Sequence, residues 1–167
     1  MQAKSKKFQS PFNGPLESSL RSLFLLAYLT PRRCTLQEVI YLDYLLVHSG
    51  DADGPDSLHP DVPHRGGEWM VRKELIEEGL FLVVSRELVI KHFSDDGIRY
   101  SASDLGCSLL KHFHSEYSKR LVERAQWLTD NSATRTEQEL QKIVLTNVGS
   151  WGTEFTREST VRSGPLG

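Results

Sequence analysis

The 167 residues hold chain enough for one core, and 20 basic against 22 acidic side chains leave a formal charge of -2, which excludes any overall attraction to nucleic acid or to an anionic membrane. Apolar residues at 38% and charged ones at 25% exclude a disordered chain, and two cysteines without a CxxC pair, Cys34 and Cys107, exclude a disulfide framework and suit a reducing cytoplasm as small buried apolar groups. The most apolar run, "LFLLAYL" from Leu23 to Leu29, is far short of the roughly 20 residues of a membrane span, and no signal-peptide pattern follows the basic start "MQAKSKKFQS".

Residues 1–13 read as a flexible polar tail. "NGP" at Asn13 to Pro15 then supplies a capping residue and a first-turn proline for a helix carrying Leu16, Leu20, Leu23, Phe24 and Ala27 at helical spacing, ended by "TPRR". Thr35 and Glu38 form a capping-box pattern that opens a second helix. Its wide apolar set, Leu36, Val39, Ile40, Leu42, Leu45 and Leu46, predicts cover on more than one side. Residues 50–67 follow as an eighteen-residue loop with three prolines and four glycines.

"EWMVRKELIEEGL" predicts a third helix with Trp69, Met70, Leu75 and Ile76 inward and Gly79 as its stop. "LFLVV" and "ELVIKHF" read as strands, "SDDG" as a tight turn and "IRYSA" as the returning strand. Ser101 and Asp104 in "SASD" are placed to cap a long fourth helix with the stripe Leu105, Leu109, Phe113, Tyr117, Leu121 and Leu128. "TDNSAT" reads as a linker. After it, Leu140, Ile143, Val144, Trp151 and Phe155 share one side of a C-terminal amphipathic segment.

Three helices, a β-hairpin and a further helix are the element order of a winged helix-turn-helix. The expectation is a mainly α fold with a small β-hairpin wing, a long loop before the third helix and an extra C-terminal helix. Its division is a winged-helix domain over 14–128, the C-terminal helical segment over 134–158 and a disordered tail over 159–167. Such a fold serves DNA readers and protein-binding modules alike. In the third helix Arg72 and Lys73 stand against Glu68, Glu74, Glu77 and Glu78, which opposes docking on phosphates. An ordinary helix-turn-helix also connects its helices through about 3–4 residues. Direct DNA contact is left to the wing, through Lys91, His92 and Arg99, helped by Lys4, Lys6 and Lys7 of the tail.

The histidine-bearing loop "SLHPDVPHRGGEW" from Ser57 to Trp69 invites a chemical reading. His59 and His64 are separated by two prolines rather than set on one helical face, and no zinc spacing links them to His48 or Asp61. "DADG" from Asp51 begins like a calcium loop but places Asp56 and Val62 where glycine and glutamate are needed. Neither cysteine has a base beside it in sequence, and "HRGGEW" lacks the lysine of a phosphate loop. The expectation is no catalytic residue, no metal and no cofactor.

The segments "FNGPLESSLRSLFLL", "LDYLLVHSGDADGPDSLHPDVPHRGGEW", "RKELIEEGL" and "GIRYSASDLG" together resemble the second type of middle component of bacterial ABC-three-component systems, over about residues 12–155. The resemblance implies a small winged-helix adaptor encoded beside an SMC/ABC-like ATPase and an effector subunit, in Lamassu-like anti-phage or genome-conflict systems, with DNA engaged through the complex. It brings no catalytic residues, only shared loop positions that include Asp51, Pro60, Pro63, Gly66, Gly67 and Glu68. The alternative is a DNA-binding transcriptional regulator. Partner contacts are expected from His59, Asp61, His64 and Arg65, from Trp69 as the loop's anchor, and from Trp151 and Phe155 if these do not close the chain's own core. The same apolar stripes would serve a homodimer.

Overall fold

Each helix start is fixed by a local device. The first helix, α1 (Pro15–Tyr28), has Gly14 at the cap position and proline in its first turn, where a missing N–H costs nothing. The second, α2 (Leu36–Val47), begins on a complete capping box: Thr35 Oγ1 accepts the Glu38 N–H at 3.1 Å and Glu38 Oε2 accepts the Thr35 N–H at 2.7 Å. The computed structural model describes residues 14–59 and 65–148. It is mainly helical with one two-stranded antiparallel hairpin: after α2 come a 3-10 turn (Ser49–Ala52), α3 (Arg65–Ser85), β1 (Val89–Ser94), β2 (Gly97–Ala102), α4 (Asp104–Leu110), α5 (Glu116–Ser132) and α6 (Glu137–Val148). The expected tails, at 1–13 and 159–167, lie outside the described residues.

Helix α2 is the centre of the core. Every residue from Glu38 to Val47 is buried, because α1, α3, α5 and α6 all pack on it, as its wide apolar set predicted. Leu140 and Val144 bring α6 into this core. Arg32, just before α2, ties the far end in place by donating to the carbonyls of Ser132, Ala133 and Arg135 at 2.8, 2.9 and 2.6 Å and to Glu38 Oε1 at 2.8 Å. Ser132 ends α5, Ala133 caps it and Arg135 lies in the turn before α6, so one guanidinium holds the whole corner.

Four boundaries differ from the sequence expectation, the first being the start of α3: it begins at Arg65 rather than Glu68, so Gly66 and Gly67 are helical and the connection is shorter than residues 50–67. Gly79 does not end α3, and Leu80 to Val84 are not a strand: α3 continues to Ser85, with Leu80 and Val83 buried and Phe81 exposed. Gly79 is where α3 crosses α1; a Cβ there would stand 2.7 Å from the Ser19 backbone nitrogen, and α1 offers the small buried residues Ser18, Ser19 and Ser22 to the crossing. The fourth helix is two, α4 and α5, each with its own serine cap: Ser103 Oγ accepts the Gly106 N–H at 3.0 Å and Ser115 Oγ the Ser118 N–H at 3.1 Å. Ser101 is in β2 instead, and most of the expected linker after Trp127 is still α5.

The hairpin is as read. Ser94 pairs with Gly97 across a two-residue turn, Asp95 and Asp96, and Gly97 takes the positive φ of 113° that the reversal needs. Cys34 and Tyr100 exchange both backbone hydrogen bonds, at 2.9 and 2.7 Å, so the segment before α2 is tied to β2 by a single-residue antiparallel bridge. Cys34 is fully buried and its thiol is pushed up to about 12 by burial. Cys107, expected inside as well, is only half-buried.

Candidate functional site

Asp43 interrupts the apolar run of α2 and is wholly buried. An isolated carboxylate there would be prohibitive, and two arginines meet it. Arg21 of α1 donates from Nε to Oδ1 at 2.8 Å and from Nη2 to Oδ2 at 3.3 Å, while Arg72 of α3 donates from Nη1 to Oδ2 at 2.6 Å. Both guanidiniums are buried, and that of Arg72 lies over the Tyr44 ring, 5.6 Å from its centre. Burial alone would push the Asp43 carboxyl up, but Arg21 and Arg72 outweigh it and hold it below the usual range. Burial likewise opposes the charge on Arg21, and Asp43 more than offsets that. One carboxylate thus joins three helices.

A softer polar layer covers the junction on the loop side. His59 Nε2 lies 3.2 Å from the Tyr117 hydroxyl, and burial, then the Arg21 guanidinium, bring the His59 ring down to about 4, so it is neutral at physiological pH. Burial pushes the Tyr117 hydroxyl up to about 12 and raises the Glu17 carboxyl, against the pull of Arg21. His48, buried at the end of α2, stacks obliquely on Tyr44 with ring centres 4.9 Å apart.

The first half of the long connection is bound down by its own backbone. Val47 O accepts the N–H groups of Leu58 and His59 at 2.9 and 3.1 Å. Ser49 Oγ donates to Pro55 O at 2.7 Å, and the Tyr44 hydroxyl donates to Asp51 Oδ2 at 2.6 Å. Arg124 of α5 gives Asp56 O two N–H groups, the one from Nε at 3.0 Å. A Cβ on Gly54 would meet the Trp127 ring at 2.5 Å, so glycine is what lets the loop lie on α5. These contacts make the connection part of the body rather than a tether.

Of the loop residues expected to meet a partner, His59 is half-buried and turned to Tyr117. Asp61 and His64 lie outside the described residues, as do Trp151 and Phe155. Arg65 and Trp69 fall in the first two turns of α3, their side chains outside those described. Among the described residues no three His, Cys, Asp or Glu side chains converge as metal ligands would, and no helix is long and apolar enough to cross a membrane.

The three wing residues do not form one patch. His92 and Arg99 are opposite each other on one face of the hairpin and Lys91 is on the other. Arg99 donates to Arg33 O at 3.3 Å and stands 3.6 Å from Glu38; His92 Nε2 is 2.7 Å from Ser101 Oγ; the Lys91 ammonium is 5.5 Å from the Phe93 ring centre. The outward side of α3 is different in character. Val71, Glu74, Glu78 and Phe81 recur at helical spacing and are exposed, the two apolar ones at 55% and 77%. Glu77 is exposed beside them and Arg72 is spent on Asp43.

Sequence reasoning missed the Arg21–Asp43–Arg72 junction. The signal was there: an acid in "VIYLDYLLV" and an arginine between apolar residues of α1, each on a helix too apolar to expose it.

Against known protein families, residues 11–154 match the model of the ABC-three component (ABC-3C) system middle component 2. The chain belongs to that family. The match takes in every described element of this middle component, the rest of the long connection and Trp151, and stops one residue before Phe155. It covers nearly the stretch over which the resemblance was read. No curated protein and no solved structure matches the chain. As one component of a multi-component system, it acts with partner proteins.

Proposed function

We propose that this middle component is a non-enzymatic, cytoplasmic winged-helix adaptor that links an SMC/ABC-like ATPase to its effector in a bacterial anti-phage or genome-conflict system. Membership of the family carries the reading. The element order supports the winged-helix part: α1, the bridge at Cys34, α2, α3, then the hairpin. The outward face of α3 supports the adaptor part. Where a DNA reader presents basic and polar side chains, this helix presents Glu74, Glu77 and Glu78 between Val71 and Phe81. Carboxylates there repel phosphates, while exposed apolar residues among them suit a protein surface with basic groups around an apolar centre. DNA is then met through the complex.

The test is co-purification of the tagged chain with the ATPase and effector encoded beside it. Recovery of a stoichiometric complex is expected, with Glu74→Lys/Glu78→Lys lowering the yield while the fold persists. A chain recovered alone, binding one duplex sequence about a thousandfold over random DNA, would instead establish the transcriptional regulator.

A further inference from the structure

A groove of about 710 Å³ opens between α1, the end of α3, α4 and the start of α5. Its walls are apolar: Leu20 and Leu23 from α1, Val83 from α3, Leu109 from α4, with Leu16 and Phe113 at the rim. Leu16 is 74% exposed and Phe113 36%, although Phe113 is held edge-on to the core ring of Phe24 at 6.1 Å. The volume is in the range of cavities that enclose a ligand of several rings. Its polar end, Glu17 and Tyr117, is shared with the layer over the Asp43 junction, while Val71, Glu74, Glu78 and Phe81 of the outward face of α3 take no part in it.

Gly14 is itself part of the wall, so the chain preceding α1 departs from the groove's own mouth. That chain, "MQAKSKKFQSPFN", holds Phe8, Pro11 and Phe12 together after Lys4, Lys6 and Lys7. At about 3.3–3.6 Å per residue, Phe12 is within about 7 Å of Gly14 and Phe8 within about 21 Å, so both rings can reach. The family match begins at residue 11, taking in Pro11 and Phe12 with the folded body. Glu17 and Arg86 both line the groove, so its walls favour neither sign, and the fit rests on the reach of the two rings and on the apolar walls.

We propose that this groove is the seat of the chain's own N-terminal segment, with Phe12 and then Phe8 inserted between α1, α3 and α4. The contact is intramolecular and independent of the adaptor role. A short tether holds the rings at an effective concentration in the millimolar range, enough to keep the groove closed by modest contacts. A partner reaching for the groove must displace Phe12.

The test uses the full chain with p-benzoylphenylalanine at position 12, photolysed as an equal mixture of isotopically light and heavy protein. Cross-links are expected within one chain, to residues 82–88 or 109–118. Links to Leu20 or Leu23 of α1 are expected as well; links outside the groove's lining, or between light and heavy chains, overturn the proposal, the latter marking a groove filled by a second copy. In parallel, Phe8→Ala/Phe12→Ala should bind more of an apolar fluorescent dye and exchange the amides of α4 about tenfold faster. Dye binding and exchange equal to wild type would overturn it.

Discussion

The charge junction and the hairpin use the same residue types to opposite ends. At Asp43 an acid and two arginines are held dry at 2.6–2.8 Å; on the hairpin, Lys91, Asp95 and Asp96 stand in water. Buried ions must be desolvated, and their mutual attraction often does no more than offset that cost. Docking α1, α2 and α3 in another register would strand a buried charge, so the junction favours the observed one. Charges on the hairpin impose no such condition, because water accepts them in any arrangement.

The largest break in this contrast should come from Asp43→Ala, which leaves two guanidiniums buried without their shared carboxylate. A loss of about 3–5 kcal/mol is expected in urea unfolding. Combining Arg21→Met, Asp43→Leu and Arg72→Met should recover most of it, because no ion remains to be paired. If the triple variant is as unstable as the single, the junction stabilises the fold outright. Next comes Gly79→Ala, which would favour an exposed helix by about 1 kcal/mol but here drives a methyl group into the Ser19 backbone. A net loss of about 1–3 kcal/mol is expected; a gain would mean that α1 and α3 cross less closely.

The pH dependence is smaller. His59 titrates at about 4 in the fold against 6.5 ordinarily, so between those values the unfolded chain binds a proton that the folded one does not. Stability is therefore fully present above pH 6.5 and declines as pH falls toward 4, by about 1 kcal/mol once screening of the half-buried ring is allowed for. His59→Gln should flatten that slope in unfolding curves at stepped pH. The folded pKa of Asp43 is depressed, so its share is present above the ordinary aspartate value near 3.9 and is lost below it. The smallest effect belongs to the hairpin: Lys91→Ala should change stability by less than about 0.5 kcal/mol, and a larger loss would give the hairpin a part in the core.

What could be read in advance follows the range of the forces. The Thr35–Glu38 box and the Asp95–Asp96 turn are decided within four residues, and both were legible. Gly79 was misread because a glycine that stops a helix and one that admits a neighbouring helix look alike until Ser19 is in place. "LFLVV" is apolar at every position, so its period is hidden. The stripe from Leu105 to Leu128 runs over the break at Ser115 because neither glycine nor proline marks it. Asp43 and its arginines are 22 and 29 residues apart, beyond any local pattern. His59 is placed by Tyr117, 58 residues on.

Arg32 sets a schedule for the molecule's making. The three carbonyls that it gathers at the end of α5 stand 100 to 103 residues further along the chain. At about 5–20 residues per second of synthesis, some 5–20 s separate the emergence of Arg32 from that of its acceptors. For the later part of that interval, once α2 and α3 have been made, α2 still lacks the cover of α5 and α6. The nascent domain thus waits half-clothed until α5, and after it Leu140 and Val144 of α6, can cover α2.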